Sequence, residues 1–224
     1  MSTTAFPTSG ATFHPVQVHV EPALVGRNRL TTFFRILLAL PHLILVGGPM
    51  ALVATSTSSS ANGSRYDWGA NSGVLGVVAG VVAVISWFAI IFTGTQPQGL
   101  WSLAAFYLRW RVRASAYVAL LRDEYPPFGD GPYPASVGLA PPLGTRNRLT
   151  VAFRIILAIP QIIAVWALGI AWGITTIIAW FAILFTGEYP AGLYRFGVGA
   201  LRWTTRVEAY VLLLTDDFPP FSLE

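Results

Sequence analysis

The chain has 224 residues, 54% of them hydrophobic and only 11% charged, with a formal net charge of +4. A water-soluble domain carries about 25% charged residues, so this composition excludes a domain that faces water on every side. Cysteine is absent, which removes disulfides, thiolate nucleophiles and Cys-based metal centres. All fourteen cations are Arg, whose planar fork matches phosphate better than an ammonium does.

In chain order, residues 1–13 are small and polar and lack the basic-then-apolar pattern of a signal peptide. They are expected to be flexible and cytoplasmic. Val16 to Val20 alternates apolar and polar between Pro15 and Pro22, the pattern of a short strand. A basic collar follows, Arg27-Asn28-Arg29-Leu30-Thr31, with Asn28 placed to cap a helix. From Leu30 to about Ala54 the chain is apolar around Pro41, long enough at 1.5 Å per residue to cross about 30 Å of hydrocarbon. A Ser-, Gly- and Asn-rich stretch over 55–72 reads as a loop, and a second span is expected from Gly73 to Thr93. Gly94, Pro97 and Gly99 break it.

Residues 100–122 read as a helix of another kind. Leu103, Phe106, Tyr107, Trp110, Ala114, Tyr117 and Leu121 recur at three- and four-residue spacing, with Arg109, Arg111 and Arg113 among them. Three Arg at mid-membrane would cost about 3 kcal/mol each, so an amphipathic helix in the headgroup plane is expected. It ends at Asp123-Glu124-Tyr125-Pro126-Pro127-Phe128.

Everything then recurs. The collar returns as Arg146-Asn147-Arg148-Leu149-Thr150, offset by 119, and Trp87-Phe88-Ala89-Ile90 returns as Trp180-Phe181-Ala182-Ile183, offset by 93. The first copy therefore carries 26 extra residues between its two apolar runs. Repeat one is 14–128, a linker covers 129–132, and repeat two is 133–221. The fold class implied is an all-α membrane protein with four transmembrane helices, arranged as two tandem hairpins. Each hairpin has a short cytoplasmic strand before it and an interfacial helix after it, and the second turns near Trp166 to Trp172. Nearly all Arg flank the outer ends of these hairpins. The positive-inside rule then puts both termini and both interfacial helices in the cytoplasm, with the repeats in the same orientation. The two strands, Val16 to Val20 and Ala135 to Leu139, are expected to pair beneath the bundle.

The Arg-Asn-Arg-Leu-Thr collar and the Trp-Phe-Ala-Ile, Phe-Thr-Gly, Arg-Trp and Pro-Pro-Phe elements resemble polytopic membrane proteins of actinobacteria built from a duplicated domain of unknown function. The resemblance covers residues 14 to 221. It implies a bacterial cytoplasmic membrane and an internal repeat, and brings no activity, cofactor or catalytic residue.

Asn28, Thr31, Arg35 and His42 fall on one helix face, and Asn147, Thr150, Arg154 and Gln161 repeat it. Such an intramembrane polar stripe either lines a site or holds arginines that snorkel to the interface. Gly76 and Gly80, with Gly169 and Gly173, give small residues four apart for close helix packing. No zinc-spaced His pair, Lys-containing phosphate loop or nucleophile elbow is present, so neither an enzyme nor a cofactor is expected, and no metal. Arg27, Arg29, Arg146 and Arg148 stand at helix N-termini, where the macrodipole disfavours cations. With Arg109, Arg113, Arg202 and Arg206 they are candidates to cradle anionic lipid headgroups. The expected function is a non-catalytic accessory or scaffold subunit whose Arg-rich cytoplasmic face engages anionic lipids, a partner membrane complex or a second copy, but no nucleic acid. The alternative is a small transporter or lipid-handling protein that uses the interface between the repeats.

Overall fold

The computed structural model describes residues 14–49, 56–60, 63–67, 73–142 and 144–224. These contain four strands and seven helices, in the order β1 (Val16–Val20), α1 (Arg29–Phe33), α2 (Arg35–Val46), β2 (Ser56–Ser60), β3 (Gly63–Asp67), α3 (Gly73–Thr93), α4 (Gln98–Val118), β4 (Ala135–Leu139), α5 (Arg148–Ala152), α6 (Arg154–Thr186) and α7 (Ala191–Val211). Segment 1–13, expected to be flexible, lies outside the described residues. Within the stretch read as a loop, β2 and β3 pair antiparallel, Ser56 opposite Asp67 and Ser60 opposite Gly63.

Repeat symmetry is visible first in β1 and β4. They pair antiparallel, with Val18 opposite Val137, its own counterpart in the other repeat. The two-fold relation between repeats therefore passes through this pair, and the expected pairing of the two strands is present. Val16, Val18, Val20, Ala135 and Val137 are buried, while Gln17, His19, Ser136 and Gly138 face out, the period-2 pattern of a half-covered sheet. A two-stranded sheet is marginal alone; here β1 rests on α7 and β4 on α4, and α4 packs against α7.

The four expected transmembrane helices are not present. Among the described residues only α3, with 21 residues, and α6, with 33, are long and apolar enough to cross a membrane. α2 has 12 residues, about 18 Å of helix, short of the roughly 30 Å required. Repeat two has no hairpin near Trp166 to Trp172, because α6 runs through both tryptophans without a turn. In the repeat numbering, residues 154–165 correspond to α2 and residues 166–186 to α3, so α6 is α2 and α3 joined. The geometry agrees, since α3 begins where α2 stops. A Cβ built on Gly73 would lie 2.5 Å from the Gly47 nitrogen and 2.6 Å from the Leu45 carbonyl. The 26 extra residues thus interrupt one long helix rather than connect two spans. Apolar length alone could not distinguish these cases, because an apolar run of 33 residues fits one long helix or two short ones.

The expected interfacial helices are also not at a surface. α4 buries Ala104, Ala105, Tyr107, Leu108 and Trp110 to Tyr117, on every side of the helix. α7 is likewise covered over most of its length. α4 packs on α2 and α3, and α7 on α6, with the sheet on their other side. The molecule is therefore layered, with a sheet whose outer face is polar, a middle pair α4 and α7, and an outer set α2, α3 and α6. The amphipathic signal read from α4 came from side chains that face different protein neighbours, not from one lipid face and one wet face.

The repeats lock through equivalent hydrogen bonds. Trp87 Nε1 donates to the Val151 carbonyl and Trp180 Nε1 to the Thr32 carbonyl, both at 2.9 Å. The Arg27 amide donates to the Gly187 carbonyl at 3.0 Å, and the Arg146 amide to the Gly94 carbonyl at 2.9 Å. Each repeat's collar is thus held by the end of the other repeat's long helix.

Breaking the long helix in repeat one orphans carbonyls at the end of α2. Arg111 takes them up, donating to the Val46 carbonyl at 2.6 Å and the Gly48 carbonyl at 2.7 Å. Its Nε donates to Glu208 of α7 at 2.8 Å. In repeat two, Thr204 stands at this position and its hydroxyl bonds back to Ala200 within its own helix, 2.8 Å away. Two outcomes are expected. Joining Val46 to Gly73 by deleting residues 47–72 should give a folded chain with a continuous helix, read by helical content and a sharp melting transition; an aggregated product would refute the joined-helix reading. In the unmodified chain, Arg111→Leu should cost about 3–5 kcal/mol by leaving Glu208 buried without its cation, and Arg111→Leu with Glu208→Leu should cost less. Chemical denaturation of the three proteins checks this.

Candidate functional site

The polar stripe read from the sequence converges on one construction made twice. Asn28 caps α1, its side chain accepting from the Leu30 and Thr31 amides, both at 3.1 Å; Asn147 caps α5 in the same way. Two turns further on, Arg35 is 2% exposed and Arg154 also 2%. Arg35 lies over the Tyr117 ring, 4.2 Å from its centroid, and donates to the Arg122 carbonyl at 2.8 Å and to Asp123. Arg154 lies over the Tyr210 ring at 4.4 Å and donates to the Tyr210 and Thr215 carbonyls and to Asp216 at 2.5 Å.

The collar completes each cluster. Arg27 donates to Asp123 at 2.8 Å and to the Leu120 carbonyl at 2.5 Å. Arg146 donates to Asp216 and, at 2.8 Å, to the Leu213 carbonyl. Leu120 and Leu213 have φ of +63° and +62°, the left-handed conformation that closes a helix C-terminus and that a non-Gly residue adopts at a cost. That turn lies where the Leu120, Arg122, Leu213 and Thr215 carbonyls, just beyond the ends of α4 and α7, accept from the guanidiniums, and the negative end of each macrodipole favours cations there. For Arg27 and Arg146 the partners are therefore internal: helix-end carbonyls and one Asp in each cluster.

Each cluster holds two guanidiniums against one carboxylate, so each keeps a positive excess. Burial pushes the Asp216 carboxyl up, but hydrogen bonds and charge from Arg146, then Arg154, outweigh it and hold it below its ordinary value. His42 and Gln161, both wholly buried, do one job in the two repeats. His42 Nδ1 accepts from Trp110 Nε1 at 3.0 Å, and Gln161 Oε1 accepts from Trp203 Nε1 at 2.9 Å. Gln161 also donates to the Pro219 carbonyl, and Phe128 stacks on His42 with centroids 4.6 Å apart, so this pair fastens the Pro-Pro-Phe segments. Thr31 bonds the Asn28 carbonyl, and Thr150 is half-buried beside its cap.

The headgroup candidates divide. Arg27, Arg113 and Arg146 are buried; Arg109, Arg202 and Arg206 are half-buried. Arg109 and Arg113 share Asp130, Arg202 bonds the Val18 carbonyl, and Arg206 bonds the Glu224 carbonyl. Arg29 and Arg148 are exposed. They lie beside Gly187 and Gly94, where the long helices end, each with a guanidinium nitrogen 3.3 Å from a Cβ built on that glycine. Of the packing glycines, Gly76 and Gly169 are buried and Gly173 half-buried, but a Cβ on Gly80 would meet nothing within 4 Å. Among the described residues no group of three His, Asp or Glu side chains is placed to hold a metal.

Two crevices, of about 410 Å³ and 350 Å³, open where the repeats meet. One is lined by Arg35, Ile36, Val118 and Leu120 of repeat one with Thr176, Ile177, Trp180 and Phe181 of repeat two. The other is lined by Arg154, Ile155, Val211, Leu212 and Leu213 of repeat two with Gly80, Ala83, Val84, Trp87 and Phe88 of repeat one. They are the same crevice under the repeat symmetry. Tyr117, Tyr210 and the left-handed leucines were missed by sequence reasoning. Recurrence at the offset of 93, which pairs Tyr117 with Tyr210 and Asp123 with Asp216, is the signal that could have found them.

A family described as a domain of unknown function (DUF4389) matches residues 68–129 and 148–222, together more than half of the chain. The second segment takes in α5, α6 and α7, and the first begins in the last residues of the insertion and takes in α3 and α4. No curated protein and no solved structure matches.

The acid limb of stability tests the cluster. Because the folded pKa of Asp216 is depressed, its contribution is fully present above the unfolded value of about 4 and is lost as pH falls through the folded pKa. Asp216→Asn should lower the melting temperature at pH 7 and flatten its fall on acidification below pH 4. A variant melting in parallel with the parent across that range would show that the carboxylate is not coupled to Arg146 and Arg154.

Proposed function

The chain belongs to the DUF4389 family, and from that premise we propose that it is an integral membrane protein without catalytic activity, an accessory or scaffold subunit seated by its outer helix layer. The observation that carries this reading is the outward face of α2, α3 and α6. Ile36 is 73% exposed, Phe92 74%, Ile155 71% and Phe185 77%. A soluble core helix would be mostly covered, whereas only 22% and 28% of the most apolar windows of α3 and α6 are buried. A continuous apolar surface of this kind needs lipid or protein against it. The opposite layer ends in Gln17, His19 and Ser136 and suits water. With the sheet toward the cytoplasm, both repeats keep one orientation, as the Arg asymmetry and the resemblance to actinobacterial membrane proteins imply for a bacterial cytoplasmic membrane with both termini inside. Arg29 and Arg148, exposed beside the helix ends, are then the cations best placed for anionic headgroups or for an acidic patch on a partner complex or second copy. The paired apolar crevices favour a second reading, a lipid-handling protein.

The absence of cysteine makes single-cysteine labelling direct. In vesicles with the cytoplasmic face outward, a charged maleimide is expected to label His19→Cys rapidly and to leave Ile85→Cys and Phe181→Cys unlabelled. Equal labelling at the three positions would overturn the membrane seating.

A further inference from the structure

We propose that each of the two crevices receives one acyl chain of an anionic phospholipid drawn from the surrounding bilayer, with its phosphate on the Arg35 or Arg154 side, giving two bound lipids per chain. This rests on the membrane seating above. Three observations carry it. The crevices are almost wholly apolar in lining and fall within the size range of small-ligand pockets, above about 300 Å³. Each is bounded at one end by a 98%-buried arginine. Each such arginine belongs to a cluster with two guanidiniums and one carboxylate, so the end of the crevice carries a positive excess that a neutral lipid leaves uncompensated. An anionic headgroup supplies the missing charge, and in apolar surroundings charge pairing is least screened.

The crevices sit beside the collars. Arg35 and Arg154 open α2 and α6, which puts the charged end at the level where a long helix enters the bilayer and leaves the chain to run along Trp180 and Phe181, or Trp87 and Phe88. Gly80 explains itself here. Its missing side chain leaves open space in the wall of the second crevice, a feature that close helix packing does not require.

The test uses the full chain reconstituted in bilayer discs of mixed phosphatidylglycerol and phosphatidylcholine, released into mild detergent and weighed by native mass spectrometry. Two phosphatidylglycerol molecules per chain are expected. Gly80→Leu, which fills the second crevice and improves helix propensity, should reduce this to one. Thr176→Leu should do the same for the first crevice, and the double variant should retain none. Gln17→Ala with Ser136→Ala, on the exposed outer face of the sheet, should still retain two. Each variant is first shown to melt like the parent and to stay in the membrane fraction. A chain that is extracted as a soluble protein would refute the membrane seating itself. A membrane-bound chain that retains no lipid, retains phosphatidylcholine equally, carries a free fatty acid instead, or keeps two lipids with both crevices filled would overturn the lipid assignment alone.

Discussion

Burial of four guanidiniums is the constraint around which this molecule is built. An arginine removed from water costs several kcal/mol unless nearly all its donors are met, and Arg35 and Arg154 are removed almost completely. The solution is the same in both repeats. A helix ends against the guanidinium, an aromatic ring lies under it, and one carboxylate bridges it to the collar arginine. Each part demands another. The carbonyls reach the arginines only because Leu120 and Leu213 turn left-handed, and that turn is tolerated because the freed carbonyls find strong donors. The start of α2 is thereby tied to the end of α4, and the start of α6 to the end of α7.

Those ties operate within each repeat, whereas the tryptophan and amide bonds operate between them. Trp87 reaches Val151 and Trp180 reaches Thr32, so each collar is positioned by its own repeat's Asp and by the other repeat's long helix. Neither repeat alone satisfies these groups, and the two fold as one unit. The insertion in repeat one is accommodated for the same reason. The two halves of the interrupted helix are held by separate partners, α2 by Arg35 and His42, and α3 by its packing on α4 and α5. Continuity of the backbone between them is dispensable. Arg111 and Glu208 replace, in the middle layer, what an unbroken helix supplies for itself.

The distribution of charge has a physical meaning beyond topology. Most of the arginines flank the apolar runs, yet they are spent internally, on Asp123, Asp130, Asp216, Glu124, Glu208 and backbone carbonyls. An exposed outer layer that is apolar and a middle layer that neutralises its own charge make a protein whose outward electrostatics rest on a few exposed groups, Arg29 and Arg148 among them. The positive excess of each cluster is directed instead toward an apolar crevice, where a single anion has most effect.

The sequence by itself determined the duplication, the 26-residue insertion, the caps at Asn28 and Asn147, the pairing of β1 with β4 though not β2 and β3, and the apolar character of the long helices, because these follow from local pattern and from recurrence at fixed offsets. The arginines of the polar stripe were legible as residues, but their partners were not: Asp123 lies 88 positions from Arg35, and Asp216 lies 62 from Arg154. Only tertiary structure decided that the apolar run of repeat two is one helix and not a hairpin, since composition carries no information about where a helix stops without a breaker. Only tertiary structure decided that α4 and α7 are interior, since periodicity reports that side chains differ around a helix and not whether water, lipid or protein lies beyond them. The crevices could not be read at all from one repeat, because each is made by side chains of both.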